Sequence, residues 1–457
     1  MKIHIEEREA DLIGSGSKGG VDKISGLPDD ILCHILSFLP TKYAVATSVL
    51  STRWKYIWTS VPILDFDASL HQEFYPYLNI YGSRDSEITF QSFVNRVLLL
   101  NDIPQIQKFR LVYKCHYSAP PIYTWLHVAI SRDISELELD FYLSVPKEFI
   151  KLPNNFFVSN KLVVLKLSRM PLIVPSVVIL PMLKILEIRS VLYLDDKCTQ
   201  NLLSGCQGLE ELVIEEIARE KPRVINISIP TLKSFSFSYK FVIDISVDSP
   251  YKFVINAPNL EYFHVKGRIS DDFVVRSLAS LINVHLDLRQ TAVLADNYNF
   301  CHQRVCNLFE GIANAKFLTL SNDIVQLLSA AHYPNLPRFF NMTGLALGIG
   351  IDFRWKRLVT EFIKCSPDLE VLTLNNKQQE ILRDVEELRR SPPEAMPEYL
   401  LSHLKDILIQ ELYSNFLPED VEYLVHDVNV LKRLKIDCQC SFMLISQIGH
   451  IIPDLSD

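Results

Sequence analysis

The chain has 457 residues, of which 48% are hydrophobic and 22% are charged, so it encodes a folded protein rather than a disordered one. Its formal net charge of −8 argues against a nucleic-acid-binding surface over the whole chain. No apolar run reaches the length of a membrane span, and the N-terminus lacks the apolar core of a secretory signal.

Residues 1–20 are predicted to form a flexible tail. They contain Gly14-x-Gly16-x-x-Gly19, which fits a dinucleotide-binding pattern. That pattern needs a preceding strand and a following helix, and neither is indicated here. We therefore expect no nucleotide site in the tail and no cofactor elsewhere.

Residues 21–62 are predicted to form three short helices, and the first has a clear start and stop. Pro28 suits a first helical position, and Asp29 and Asp30 suit the positive end of the helix dipole. Pro40 ends the helix. Apolar residues recur between them at helical spacing. They are Ile31, Leu32, Ile35, Leu36 and Leu39.

Two further helices are expected directly after the first. Thr41 is predicted to cap a helix that runs to about Leu50. Ser51 is predicted to cap a third helix, in which Trp54 and Trp58 lie four residues apart on one face. A unit of about 40 residues cannot normally build an adequate core alone. Its surplus apolar face therefore packs against the rest of this chain or docks a partner's helices.

The stretch LPDDILCHILSFLPTKYAVATSVLSTRWKYIW, residues 27–58, resembles the F-box of plant proteins. The match extends from Asp22, Ile24 and Ser25 to Leu64-Asp65-Phe66-Asp67. The resemblance implies that this segment binds the Skp-type adaptor of a cullin–RING ubiquitin ligase. We expect mainly apolar adaptor contacts. The expected residues are Leu27, Pro28, Ile31, Leu32, Ile35, Leu39, Pro40, Val49, Leu50, Trp54 and Trp58.

After a connector over residues 63–105, the pattern apolar-x-x-apolar-x-apolar recurs through residues 106–375. Its mean period is about 27 residues, within the range of leucine-rich repeats. The copies are Ile106-Phe109-Leu111, Ile134-Leu137-Leu139, Leu162-Leu165-Leu167, Leu183-Leu186-Ile188, Leu209-Leu212-Ile214, Leu232-Phe235-Phe237, Leu260-Phe263-Val265, Leu281-Val284-Leu286, Ala315-Leu318-Leu320, Met342-Leu345-Leu347 and Leu369-Leu372-Leu374.

The last two apolar positions of each copy are two residues apart, so both face one side of a short strand. Stacked copies predict an α/β fold in which an irregular solenoid has a curved parallel sheet with outer helices or irregular turns. The Asn or Cys that usually follows the pattern is mostly absent, so the turn amides must be satisfied in another way. The alternative is an ordinary α/β domain with parallel strands.

Two segments follow the repeats: a predicted linker over residues 376–393 and a region over 394–457 that resembles the plant FBD domain. The matching features of the region include Pro397, Leu400, Leu401 and His403-Leu404-Lys405. It departs from the FBD pattern at Tyr399 and at Asn429-Val430. Two copies of the repeat spacing also occur there, so the alternative is that the region extends the solenoid. They are Leu404-Ile407-Ile409 and Leu431-Leu434-Ile436.

No motif for catalysis or metal binding emerges, and we expect no catalytic residue, no metal and no enzyme activity. Cys438-x-Cys440 and the Cys301–Cys306 pair lack a second ligand pair at zinc spacing. His34 and His127 lie in apolar stretches and are predicted to be packing residues. The nine cysteines suggest reduced thiols, hence a cytoplasmic or nuclear protein or both.

These patterns favour a substrate-recognition subunit of an SCF-type ligase, whose repeats bind a target protein, with no nucleic-acid or membrane partner. The alternatives are a receptor that presents a target with a small ligand, and a repeat scaffold uncoupled from the ligase. The strand residues between the core positions are expected to face the target. The alternative is that this face is only solvated and that targets bind the outer loops or the C-terminal segment. The predicted target-binding residues are Lys166, Glu187, Arg189, Glu211, Tyr262, His264 and Lys266. A row of small residues at Gly344, Ala346 and Gly348 is expected to leave space for a partner's side chain.

Overall fold

The computed structural model describes residues 24, 26–71, 74–75, 80–81, 84–115, 121–143, 152–193, 197–217, 223–240, 251–269, 271–276, 278–289, 298–330, 336–349, 355–375, 404–410 and 433–437. The predicted tail and linker, and most of the FBD-like region, lie outside these residues.

Eight α-helices and four short 3₁₀ helices occur within the described residues. The α-helices are α1 Asp29–Leu36, α2 Thr41–Ala46, α3 Arg84–Leu100, α4 Ile122–Ser131, α5 Lys197–Ser204, α6 Tyr298–Gly311, α7 Asn322–Ala330 and α8 Trp355–Cys365. The 3₁₀ helices are Thr47–Val49, Ile57–Ser60, Ala68–His71 and Asn154–Phe157.

Twenty-one strands are described, and fourteen of them form one sheet in the order β1-β4-β5-β6-β8-β10-β12-β14-β16-β17-β18-β19-β20-β21. The strands are β1 Ile63–Asp67, β2 Phe74–Tyr75, β3 Ile80–Tyr81, β4 Lys108–Cys115, β5 Glu136–Leu143, β6 Val164–Ser168, β7 Pro171–Leu172, β8 Ile185–Arg189, β9 Leu192–Tyr193, β10 Glu211–Ile217, β11 Arg223–Ser228, β12 Ser234–Lys240, β13 Tyr251–Asn256, β14 Tyr262–Arg268, β15 Asp272–Arg276, β16 Asn283–Arg289, β17 Phe317–Leu320, β18 Gly344–Gly348, β19 Val371–Asn375, β20 Asp406–Gln410 and β21 Arg433–Asp437.

The predicted repeat pattern is confirmed by this sheet. Every residue of the eleven predicted copies is buried, and neighbouring strands pair in parallel with equivalent positions side by side. Leu165, for example, lies opposite Leu137 on one side and Leu186 on the other. Residues between the core positions are on the opposite face, which we call the open face.

The sheet is longer at both ends than the predicted repeat region. Its first strand, β1, lies in the predicted connector, where Val61, Leu64 and Phe66 form a further buried copy of the pattern. The predicted start at residue 106 is therefore too late. At the other end, β20 and β21 add two strands from the FBD-like region.

The layer behind the buried face is not helical throughout, in contrast to the predicted arrangement of outer helices. In the middle of the chain it is a second parallel sheet of order β11-β13-β15. Aromatic rings fill the space between the two sheets: Phe237 and Phe253 have ring centroids 4.6 Å apart, and Phe253 stacks on Phe273 at 4.9 Å. The alternating apolar residues of β13 suit a strand in this position better than a helix.

The turns after β6 and β8 satisfy their amides without the usual Asn, as expected. Arg169 and Ser190 adopt φ values of 53° and 54°, in the left-handed region. In that conformation, the Arg169 N–H donates to the Arg189 carbonyl at 2.8 Å, and the Ser190 N–H donates to the Glu215 carbonyl at 2.6 Å. Each turn is thus tied to the end of the next strand.

The N-terminal helices depart from the prediction in two details. Thr41 is the first residue of α2 and does not cap it, because Pro40 occupies the cap; the Thr41 hydroxyl instead accepts the Asp65 N–H at 2.8 Å. No α-helix begins at Ser51: residues 52–56 form turns, followed by the 3₁₀ helix Ile57–Ser60. The unit packs directly onto β1, so its core is continuous with that of the sheet.

Candidate functional site

The N-terminal helices bury one face and expose the other. Leu32 and Leu36 of α1 are in the core, whereas Ile31, Ile35 and Phe38, at i, i+4 and i+7 spacing, are exposed. Nine of the twenty-one exposed large hydrophobic residues in the described part of the chain lie within residues 24–56. This concentration of exposed apolar side chains is typical of an interaction site. We call its main members the F-box outer surface: Ile31, Ile35, Phe38, Leu39, Val49 and Leu50.

The structure divides the predicted adaptor residues into two groups. Leu32, Trp54 and Trp58 are 0%, 6% and 8% exposed. Their side chains hold the unit together and against the sheet, so we reassign these three residues from adaptor contact to the core. The other predicted residues keep accessible surface, and Val49 reaches 87%. They are Leu27, Pro28, Ile31, Ile35, Leu39, Pro40, Val49 and Leu50.

Sequence reasoning missed Phe38, which is 75% exposed, and Tyr43 and Tyr56, which are also exposed. The signal for Phe38 was present, since it continues the helical spacing of Ile31 and Ile35. The two tyrosines carry no comparable signal, because their exposure depends on how the second and third segments fold back on the first.

An ion pair fixes the start of α1 beside this surface. The Arg53 guanidinium donates to Asp29 Oδ1 at 2.7 Å and 3.1 Å, and also to the Leu27 carbonyl. Arg53 lies 24 residues after Asp29, so the contact joins the third segment to the beginning of the first. Because the carbonyl that it holds belongs to Leu27, the contact also positions Leu27 and Pro28.

On the open face, charged side chains of the first strands alternate in sign along one row. Arg110 lies between Asp65 and Glu138, with nitrogen–oxygen distances of 2.8 Å and 3.1 Å. In the same row, Lys166 pairs with Glu187 at 2.6 Å. We call this row the charge ladder. Its neighbouring members are between 21 and 45 positions apart in sequence, and the parallel register brings them side by side.

The predicted target residues fall in two places on the open face. Lys166, Glu187 and Arg189 belong to the charge ladder or its border, since Arg189 also contacts Glu187 at 2.9 Å. Burial alone would raise the pKa of Glu187, but hydrogen bonds from Lys166 and Arg189 lower it below its usual value. Glu211 borders the same region on β10.

Tyr262, His264 and Lys266 lie further along, on β14. The rings of His264 and His285, opposite each other on neighbouring strands, meet edge to face with centroids 4.6 Å apart. Burial lowers the pKa of His264, with a further lowering by Lys266 and an opposing effect of Asp287. Lys266 pairs with Asp287 at 3.7 Å.

The expected space at the row of small residues is absent. A Cβ atom on Gly344 would lie 2.6 Å from Cδ1 of Phe317, because the Phe317 ring on the neighbouring strand covers the glycine. A Cβ on Gly348 would lie 2.6 Å from the backbone nitrogen of Asn322. The chain itself therefore occupies the volume that these glycines leave.

Residues considered for chemistry form no centre in the part of the chain that is described. His34 and His127 are exposed, so their predicted packing role is wrong. The His34 ring lies against Phe38, and the His127 ring lies against Tyr123. No group of three or more His, Cys, Asp or Glu among the described residues could hold a metal ion. Of the described helices, none has the length and hydrophobicity that a membrane crossing requires.

Six cysteines have described side chains, and all six are free thiols. They are Cys33, Cys198, Cys206, Cys301, Cys306 and Cys365. Burial raises the pKa of the Cys206 thiol to about 12, which makes it a poor nucleophile. Cys438 and Cys440 lie outside the described residues.

Comparison with known proteins agrees with this architecture. Residues 24–66 match the F-box domain model, and residues 122–278 match the model described as "FBD-associated F-box protein At5g56370, LRR repeats". F-box/LRR-repeat protein At4g14103 of Arabidopsis thaliana is 34% identical over 363 residues, which cover 78% of this chain and 91% of that protein.

Two further Arabidopsis thaliana proteins extend the similarity. F-box/LRR-repeat protein At4g14096 is 34% identical over 77% of this chain and 72% of its own length. F-box/FBD/LRR-repeat protein At3g52680 is 31% identical over 84% of this chain and 78% of its own length. The F-box unit packs on a sheet of repeats, and relatives with the same two parts are 31–34% identical over most of both chains. The chain therefore belongs to the F-box/LRR-repeat family of plants.

Proposed function

We propose that this protein is the substrate-recognition subunit of an SCF-type cullin–RING ubiquitin ligase. The observation that carries the proposal is the F-box outer surface, an apolar surface left exposed by a unit whose other face is fully packed. Val49 and Leu50 are 87% and 64% exposed, and a soluble partner with an apolar groove would remove them from water. The Skp-type adaptor is the partner that the F-box domain indicates.

In this role the chain contributes binding and geometry, and the chemistry of ubiquitin transfer is supplied by other subunits. The F-box outer surface holds the adaptor, and the open face of the sheet holds the target. Tethering a target lysine near the ubiquitin-loaded enzyme raises its effective concentration. Such a complex would operate in the cytoplasm or the nucleus.

The test is capture of a purified Skp-type adaptor by the full chain. The double change Val49→Asp, Leu50→Asp places two charges in the proposed interface and is expected to weaken capture by at least about tenfold, equivalent to about 1.4 kcal/mol. Leu99→Asp with Leu100→Asp is the matched control, because these leucines are also exposed but lie on α3, outside the surface.

The control variant is expected to bind the adaptor as the unmodified protein does. Circular dichroism melting of both variants checks that neither has unfolded. Equal capture by the two double variants, or no capture by the unmodified chain, would contradict the proposal.

A further inference from the structure

The open face differs between its first strands, β1 to β10, and the later strands β14, β16 and β17. The difference is whether its side chains form ion pairs with one another. Along β1 to β10, the charge ladder pairs its own members: Arg110 with Asp65, and Lys166 with Glu187. A charged partner that docked there would have to break these pairs and desolvate both members. Such a replacement contributes little binding free energy, because one ion pair is exchanged for another while the cost of desolvating the charges remains.

Further along, the first residues of β14, β16 and β17 on the open face include no ammonium, guanidinium or carboxylate group. The parallel register places Tyr262, Asn283 and Phe317 in one row and His264, His285 and Thr319 in the next. We call these six residues the aromatic patch. Tyr262 and Phe317 are 46% and 45% exposed and lie two strands apart, or roughly 10 Å.

The rings of the patch are held in place before any partner arrives. Phe317 lies over Gly344, which provides the space for its ring. His264 and His285 support each other through their edge-to-face contact. A side chain that is already ordered loses little conformational entropy on binding, so more of its contact energy appears as affinity. Exposed, preorganised aromatic residues are the side chains that most often dominate binding energy at protein interfaces.

We propose that the aromatic patch is where the target docks, and that its occupant is an uncharged segment of the target polypeptide carrying aromatic or branched apolar side chains. This inference rests on the proposed function and names the partner chemistry of its target face. Charge complementarity supports the choice: Lys266 and Arg289, which follow the patch residues on the same strands, already contact Asp287 at 3.7 Å and 3.8 Å. An acidic or basic occupant would therefore have to break these contacts on that side of the patch.

The inference is tested by selecting binders from a random-peptide phage library against the full chain bound to its adaptor. We expect the selected peptides to be rich in Trp, Phe and Leu and nearly free of charged residues. Their affinity is then measured for two double variants. Tyr262→Ser with Phe317→Ser removes both exposed rings of the patch, whereas Tyr123→Ser with Phe340→Ser removes two rings outside the patch that are somewhat more exposed.

The patch variant is expected to bind the selected peptides at least about tenfold more weakly, and the control variant to bind them unchanged. Gly344→Ala supplies a further readout, because its methyl group displaces the Phe317 ring while leaving every patch side chain present. It should also weaken binding.

Selected peptides with clustered acidic or basic residues, equal affinity for both double variants, or no enrichment over adaptor alone would overturn the inference. Adaptor capture is measured on the same preparations. If capture fails, the proposed function fails; if capture persists while peptide binding does not follow the patch, only this inference fails.

Discussion

Arg132 donates to Asn101 through one guanidinium nitrogen, at 2.9 Å to the backbone carbonyl and 3.0 Å to the side-chain oxygen. The amide group of Asn101, which is buried, donates in turn to the carbonyls of Thr59 and Val61 at 3.0 Å and 3.3 Å. This chain of hydrogen bonds runs from α4 through the end of α3 to the F-box unit. It fixes the orientation of the F-box relative to the sheet.

Asn101→Ala is expected to loosen that junction, with a loss of about 1–3 kcal/mol in the free energy of unfolding, because the carbonyls of Thr59 and Val61 and the Arg132 guanidinium each lose a hydrogen-bond partner. Hydrogen exchange of the amides in residues 57–61 should accelerate. The neighbouring change Asp102→Ala is the control, since Asp102 is exposed and its N–H, not its side chain, contacts Thr59. Equal effects of both changes on unfolding and exchange would show that the Asn101 amide does not secure the junction.

Truncation of the adjacent α1 residues Leu32 and Ile31 is expected to affect different properties: stability for Leu32 and adaptor binding for Ile31. Leu32→Ala removes a fully buried side chain and should cost about 2–5 kcal/mol of stability. Ile31→Ala removes a side chain that is 45% exposed and should change stability by less than about 0.5 kcal/mol while weakening adaptor capture. Urea denaturation and adaptor pull-down, applied to both variants, separate the two roles. Loss of adaptor capture at constant stability by Leu32→Ala would refute this assignment.

Glu187→Gln is expected to weaken the charge ladder in a pH-dependent way. The pKa of Glu187 is lowered in the folded chain, so its stabilising contribution is present above the usual value of 4.5 and is lost as pH falls through the lowered pKa. Lys166 and Arg189 are partly exposed, which limits the effect to about 1 kcal/mol. The difference in unfolding free energy between the unmodified protein and the variant should shrink in acid. A difference that is independent of pH would contradict this prediction.

Asp271 should show the opposite pH dependence. It lies between the two sheets, where it accepts the N–H groups of Tyr251 at 2.9 Å and Arg268 at 3.1 Å and contacts the Tyr239 hydroxyl at 3.3 Å. Burial raises its pKa from the usual 3.8 to about 6, against the lowering effect of these hydrogen bonds and of the Arg268 charge.

The folded chain therefore holds a proton on Asp271 at pH values where the unfolded chain has released it. The contribution of the Asp271 carboxyl to the free energy of unfolding therefore falls as pH rises from about 4 to about 6, by up to about 3 kcal/mol. Asp271→Asn removes the titration. Relative to that variant, the unmodified protein should become more stable as pH is lowered through this range, as measured by urea denaturation. A constant difference would show that the carboxyl does not titrate in this window.

Much of the fold could be predicted because its signals are local. Leu165 and Leu167 are two residues apart, and a strand places such residues on one face whatever surrounds it. The same spacing, repeated at a regular interval, predicts stacked parallel strands. The F-box resemblance likewise rests on a continuous stretch, residues 27–58, and it correctly indicated a surface with more apolar side chains than its own unit could bury.

The functional surfaces depended on relationships that no local pattern contains. Leu32 and Ile31 are both apolar and adjacent, and only the packing of α1 against the later segment Ile57–Ser60 decided which of them is buried. Lys166 and Glu187 each look like free surface charges, but the register of neighbouring strands makes them partners. The Gly344 row suggested an opening until the tertiary structure placed the Phe317 ring over it. A side chain's availability to a partner is set by neighbours distant in sequence, because burial and pairing are properties of the packed sheet rather than of the residue.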